Sequence, residues 1–329
     1  MSLKDHRLPA EWERQRATLL AWPHGHGDWV DNLAAIRAEY QALIEAVLER
    51  QPVFLLVAPG DSSAQAQLGE QAGLHLLEIP FDDTWCRDYG PITLVHAGQL
   101  LGMDFLFNGW GGKYPAARDN RVNTHLARHA LFRGLRFRQS LFELEGGAID
   151  CDGAGQLLVN WHCLRTRHPH LRQVEIEREL ELLLSIRRVL GIDIEPTPGD
   201  DTDGHIDTLA RFLPDNRLVF QEQLEPTRTT RLRDQLEALR NLTGQAFELL
   251  CLPAPQGVES GLPANYVNFL FVNDACLVPA YGLPADEPAR AILAEALPQY
   301  AVVSVPAAAL IRQYGGIHCA SMQIPEALP

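Results

Sequence analysis

An α/β fold is predicted by three observations on this 329-residue chain. Short apolar runs of strand length alternate with amphipathic helical patterns from end to end, so neither half is all-helical or all-strand. No low-complexity, like-charge or linker-like block divides the chain, and residues 1–329 read as one large domain. Polar clusters beside glycines recur at a near-constant interval, which points to repeated units that each deliver a loop to a common centre.

The elements follow in order. Residues 29–51 carry apolar positions at helical spacing and predict an amphipathic helix. The runs at 53–58 and 74–80 read as buried strands. Further strands are predicted at 92–96, 100–107, 141–144, 157–160, 218–221, 247–252, 266–272, 275–279 and 302–305. Helical patterns recur at 174–190, 228–242 and 287–297. The repeated clusters centre on Asp88, Glu145, His205, Asn265 and Cys319, at steps of 57, 60, 60 and 54 residues.

Composition narrows the partners. Acids exceed bases by 42 to 28, a formal charge of −14, which argues against nucleic acid or an anionic membrane and is compatible with a small cationic ligand. No apolar stretch is long enough to span a bilayer, and Met1 to Arg16 lacks the apolar core of a secretory signal. The six cysteines include no C-x-x-C pair, as expected of reduced thiols in a cytoplasm. There is no HExxH, Walker A or GxGxxG pattern, so neither a metal nor a nucleotide cofactor is expected.

Several residues could carry chemistry. In Gly204-His205-Ile206-Asp207 an extended backbone would turn His205 and Asp207 to one face, as proton shuttle and charge anchor. Asp88, ahead of a Gly-Pro turn, could pair bidentately with a planar guanidinium. Cys86 lies between Trp85 and Arg87 and, on a strand, would be buried opposite them. Cys319 follows a Gly-Gly pair and is the candidate nucleophile. His318 would usually point away from it, making His205 the better partner. Glu145 precedes Gly146-Gly147, and Trp22, Trp85 and Trp110 stand near turns, where a ring can stack on a cation.

Taken together, these motifs resemble those of the agmatine deiminase family, a branch of the guanidine-modifying enzymes that also includes Porphyromonas-type peptidyl-arginine deiminase. The resemblance runs from Leu8-Pro9-Ala10-Glu11-Trp12-Glu13 and Ala21-Trp22-Pro23 through Trp85-Cys86-Arg87-Asp88-Tyr89-Gly90-Pro91, Asn108-Gly109-Trp110-Gly111-Gly112, Glu145-Gly146-Gly147 and Gly204-His205-Ile206-Asp207. It ends with Asn265-Tyr266-Val267-Asn268-Phe269 and Gly316-Ile317-His318-Cys319. It implies a five-bladed pseudo-symmetric α/β propeller (pentein-like) with the site on its axis. It further implies Cys319 as nucleophile, His205 as general acid/base, Asp88 and Asp207 as the carboxylates that grip a guanidinium, and Glu145 as a group orienting His205. Asp201 falls where agmatine deiminases usually carry a Glu near the far amine, with Trp22, Trp85 and Trp110 as candidate walls for the substrate.

The activity so implied is hydrolytic deimination of a small cationic guanidino substrate through a Cys thiouronium. Agmatine, giving N-carbamoylputrescine and ammonia for putrescine formation, is the first choice. Peptidyl arginine or another guanidine is the alternative. No metal or organic cofactor is implied, and a homodimer is expected. An amidinotransferase and a non-catalytic binder on the same scaffold remain open from the residues alone.

Overall fold

The computed structural model describes residues 3–197, 199–259 and 261–327, in which sixteen strands form five sheets. In chain order β1 (Gln15–Ala21), β2 (Val53–Val57) and β3 (Leu74–Glu78) begin the first sheet. Next come β4 (Ile92–His96), β5 (Gln99–Leu106) and β6 (Leu135–Glu143), then β7 (Ile149–Cys151), β8 (Gln156–Asn160) and β9 (Arg188–Ile192). The third triplet is β10 (Ala210–Leu213), β11 (Arg217–Gln221) and β12 (Glu248–Leu252), the fourth β13 (Leu270–Val272), β14 (Ala275–Ala280) and β15 (Ala301–Pro306). Finally β16 (Ser321–Pro325) returns to pair antiparallel with β1.

Every sheet contains one shared three-strand plan, to which the closing sheet adds β3 in parallel with β2. Two strands pair antiparallel, the chain crosses over through helix, and the next strand adds in parallel. A parallel partner needs such a crossover, which explains why strands alternate with helical patterns in the sequence. In the closing sheet β16 supplies the antiparallel strand, so the two ends of the chain are joined in one unit. These five sheets fit a pseudo-symmetric five-blade arrangement.

The repeat also explains the polar interval. Asp88, the Glu145–Gly147 turn, the His205–Asp207 turn, the Asn265–Asn268 turn and Cys319 each stand just ahead of the first strand of a sheet: β4, β7, β10, β13 and β16. One blade length of chain therefore separates equivalent loops.

The crossover helices bury one stripe each. Ile36, Tyr40, Leu43, Ile44 and Val47 form that stripe on Leu33–Leu48, and Ile176, Leu180 and Leu184 on Gln173–Leu184. Each large apolar side chain so buried contributes on the order of 1.5–3 kcal/mol.

Several sequence expectations change. The helix expected over 174–190 ends at Leu184, because Ser185 adopts a left-handed backbone (φ 56°) and β9 begins three residues later. The strand expected over 266–272 shortens to β13, because the Asn265 side chain accepts the Asn268 N–H at 2.9 Å and turns the chain. His205–Asp207 is not a strand but a bend followed by a single 3₁₀ turn, Ile206–Thr208. Likewise Cys86–Tyr89 is one helical turn, in which Cys86 is buried as expected, with its thiol against the carbonyls of Leu19 and Ala320.

Candidate active site

The five inter-blade loops bring their polar residues to a small cavity lined by Trp85, Asp88, Trp110, Asp201 and Cys319 among others. Behind the lining lie Glu145, His205 and Asp207, all buried.

Cys319 is held from two sides. Its sulfur is 3.2 Å from Asn268 Nδ2 and 3.7 Å from Asp207 Oδ2, and its carbonyl accepts the Arg87 N–H at 3.2 Å, next to Asp88. Burial, with Asp207 and then Asp88 adding repulsion, pushes the thiol well above its ordinary value. The thiolate is therefore disfavoured until a cation enters.

Gly147 is where the carboxylates and imidazole converge. Its N–H donates to Asp88 Oδ1 at 2.9 Å. A Cβ there would stand 2.5 Å from His205 Nδ1, 2.9 Å from Asp88 Oδ1 and 3.2 Å from Asp207 Oδ2. Any side chain would displace all three groups, which is the physical demand behind the Glu-Gly-Gly motif.

Trp110 fixes the other oxygen of Asp88. Its indole N–H donates to Asp88 Oδ2 at 2.9 Å from a backbone at φ 55°, ψ 48°. That left-handed conformation costs about 1–2 kcal/mol for a residue with a Cβ, a strain typical of functional sites. Burial, opposed by His205 but aided by Asp207 and Glu145, pushes Asp88 up to about 6.

His205 is enclosed by acids. Nε2 lies 3.4 Å from Glu145 Oε2 and Nδ1 lies 3.8 Å from Asp88 Oδ1. Burial pulls the imidazole down, but Asp88, Cys163 and Glu145 outweigh it and hold it well above its ordinary value. Glu145, which burial alone would raise, is kept low by His205 and by Arg167, whose Nε donates at 2.6 Å. Glu145, Cys163 and His205 bring ligand-type atoms within 4.8 Å of one another. Arg167 already neutralises that carboxylate, so the cluster is poorly suited to a cation. Among the described residues neither His205 Nδ1 nor Asp207 Oδ1 has a hydrogen-bond partner.

The cavity has a second acidic pole. Asp28 and Asp83 line it with Asp201, whose Oδ2 accepts the Tyr114 hydroxyl at 2.8 Å. Burial, opposed by the Thr84 N–H and aided by Asp28, pushes Asp83 up to about 7. Burial likewise raises Asp201.

Trp85, Trp110 and Asp201 thus line the cavity, but Trp22 does not. Trp22 is fully buried in the core, donating to Ser63 Oγ at 3.0 Å and packed edge-on against Tyr40. Its strand-end position in the sequence could not reveal that it faces a helix rather than the axis. His318 points away from the cavity yet bonds Asp207 at 2.7 Å. The signal for Asn268 in the sequence is its Asn-x-x-Asn turn spacing from Asn265. Asp28 and Asp83 carried none.

The chain as a whole is similar to known proteins of one family. A family model described as Porphyromonas-type peptidyl-arginine deiminase matches residues 7–325. The agmatine deiminase of Pseudomonas aeruginosa (strain UCBPP-PA14) is 31% identical over 97% of this chain and 95% of its own. That of Ectopseudomonas mendocina (strain ymp) is 32% identical over the same shares. A solved structure of C. jejuni agmatine deiminase, a serine-for-cysteine variant with substrate bound, superposes with a TM-score of 0.91 at 32% identity, covering 98% of this chain and 97% of its own. Sequence match and fold both run nearly from end to end, and the chain belongs to the Porphyromonas-type peptidyl-arginine deiminase family.

Proposed function

We propose that this chain hydrolyses agmatine to N-carbamoylputrescine and ammonia. The observation that carries the reading is a cavity lined by Asp88 and by Cys319, whose sulfur is 3.7 Å from the buried Asp207, together with a further group of acids, Asp28, Asp83 and Asp201. Agmatine has a cation at each end. The relatives named agmatine deiminase support the same substrate.

In this reading Asp88 and Asp207 accept the N–H edges of the guanidinium, which Trp85 and Trp110 flank. Orientation of this kind removes much of the entropic barrier. The arriving cation offsets the repulsion between Cys319 and its acids and lowers the thiol, which gives its proton to solvent water as the thiolate forms. The sulfur attacks the central carbon. His205, positively charged between Asp88 and Glu145, gives its proton to the departing nitrogen, which leaves as ammonia. The thiouronium that remains is attacked by water as neutral His205 takes a proton. The carbon–sulfur bond then breaks as the new hydroxyl gives its proton to solvent water, releasing the neutral ureido product and the thiolate.

A peptide backbone offers no charge to pair with the second acidic pole, which favours the small amine over peptidyl arginine. All six cysteines are free, as suits a cytoplasmic protein. The test is a panel of agmatine, free arginine, peptidyl arginine and butylguanidine, read by ammonia and ureido release. Agmatine turning over best supports the assignment. Equal or faster turnover of the peptide would overturn it.

A further inference from the structure

We propose that Glu11, from the segment ahead of β1, is a positioning residue: acting through His318, it holds Asp207 ionised and aimed at the guanidinium. The inference rests on the reading above, in which Asp207 grips that group.

The contacts form one line. Glu11 Oε2 is 2.7 Å from His318 Nε2, and His318 Nδ1 is 2.7 Å from Asp207 Oδ2. That same Asp207 oxygen faces Asn268 Nδ2 at 3.2 Å and the Cys319 sulfur at 3.7 Å. Asp207 is thereby fixed through Oδ2, leaving Oδ1 for substrate.

Charge makes the line directional. Burial would raise Glu11, but Arg211, His318 and Arg87 outweigh it and hold it well below the usual carboxylate range. Asp207, also raised by burial, is held low by the His318 hydrogen bond. Each ring nitrogen of His318 stands 2.7 Å from a carboxylate oxygen, so the ring can neither flip nor rotate without losing one of these bonds.

Glu11 is itself clamped. Oε1 accepts the Phe271 N–H at 2.8 Å and lies 3.1 Å from Arg211, while Arg87 is 3.2 Å from Oε2. These partners come from three different sheets or their leading loops. Glu11 and His318 line a second cavity that shares no lining residue with the first, so they stand behind the reacting groups rather than among them. A Gln at position 11 would turn an amide N–H₂ or a weaker acceptor toward His318 and the two arginines. His318 would lose its anchor, and Asp207 the fixed imidazole that holds its Oδ2.

The test uses the full chain with Cys319→Ser, so that binding is read without turnover. Calorimetry compares agmatine with N-carbamoylputrescine, which has the same tail but a neutral head. Adding Glu11→Gln should weaken agmatine at least 10-fold and the ureido compound less than 3-fold. Equal weakening of both means Glu11 only supports the fold, and no weakening means it does nothing for Asp207; either result overturns the proposal. If Glu11→Gln does not fold, His318→Asn, which leaves Glu11 its arginines, must show the same split. Failure of the Glu11-intact protein to bind agmatine at all would instead overturn the functional reading, and this inference with it.

Discussion

The side-chain amide of Asn268 stands 3.2 Å from the sulfur of Cys319, although 51 residues of chain separate them. An N–H aimed at a sulfur stabilises the thiolate more than the thiol, by about 1.5–3 kcal/mol for a bond to a charged group. Asn268→Ala should therefore lower kcat/KM by roughly 10- to 100-fold. Asn268→Asp, which removes the donor and adds repulsion, should be worse. Steady-state ammonia release measures both.

Acid should weaken substrate binding. Asp88 at about 6 and Asp83 at about 7 are protonated in part below neutrality, and only their ionised forms pair with a cation. kcat/KM should climb as pH rises from 5 to about 7 and then level off on this limb. Calorimetry in two buffers of different ionisation heat should show proton release on binding at pH 6. A flat profile across that range would detach these carboxylates from recognition.

The same shifts set an opposing trend in stability. The folded value of Asp83 lies above its ordinary value, so its contribution is fully present below about 4 and is lost as pH rises through about 7. Asp83→Asn should raise the Tm of the free protein at pH 8 while lowering affinity for agmatine, a trade seen where function demands clustered charge. Thermal melts with and without ligand separate the two effects.

Thiol chemistry should follow the charge of the reagent. With Cys319 held high by burial, Asp207 and Asp88, neutral iodoacetamide should modify it slowly at pH 7. A cationic haloacetamidine carries its own counter-charge and should react at least 10-fold faster. Cys319→Ala should abolish ammonia release yet still bind agmatine. Residual turnover near wild type would remove Cys319 from the reaction.

Selectivity for the far amine should reside in Asp28. Asp28 is exposed, so Asp28→Asn is expected to raise KM for agmatine only about 2- to 5-fold, as for loss of a solvent-exposed charge pair, and to leave butylguanidine unchanged. By contrast, Trp22→Phe should cost about 1–3 kcal/mol of stability through its lost Ser63 bond and packing, with KM unaltered.

Much of the site was legible because its residue types are chemically unusual: an acid before Gly-Gly, a His two residues from an Asp, a Cys after Gly-Gly. Their interval of 54–60 residues matched the blade repeat. Even the mistaken strand around His205 led to a correct pairing with Asp207 near one centre, since a tight turn at Ile206–Thr208 also keeps two nearby side chains together. Asp28, Asp83 and the partners of Glu11 were not legible. They belong to loops whose local pattern is indistinguishable from ordinary solvated turns, and whose contacts lie tens to hundreds of residues away.

Periodicity and composition alone determined an α/β chain of repeated units with a thiol, an imidazole and several acids at matching points. That information is local: which face of a helix or strand is apolar, and where the backbone must turn. Only the tertiary structure decided that Trp22 belongs to the core while Trp85 and Trp110 face the cavity, that Asn268 reaches the sulfur, and that Glu11 sits behind Asp207. Those outcomes depend on pairing β16 with β1, which joins the chain ends and aims five distant loops at one axis. No short stretch of sequence encodes a distance to that axis.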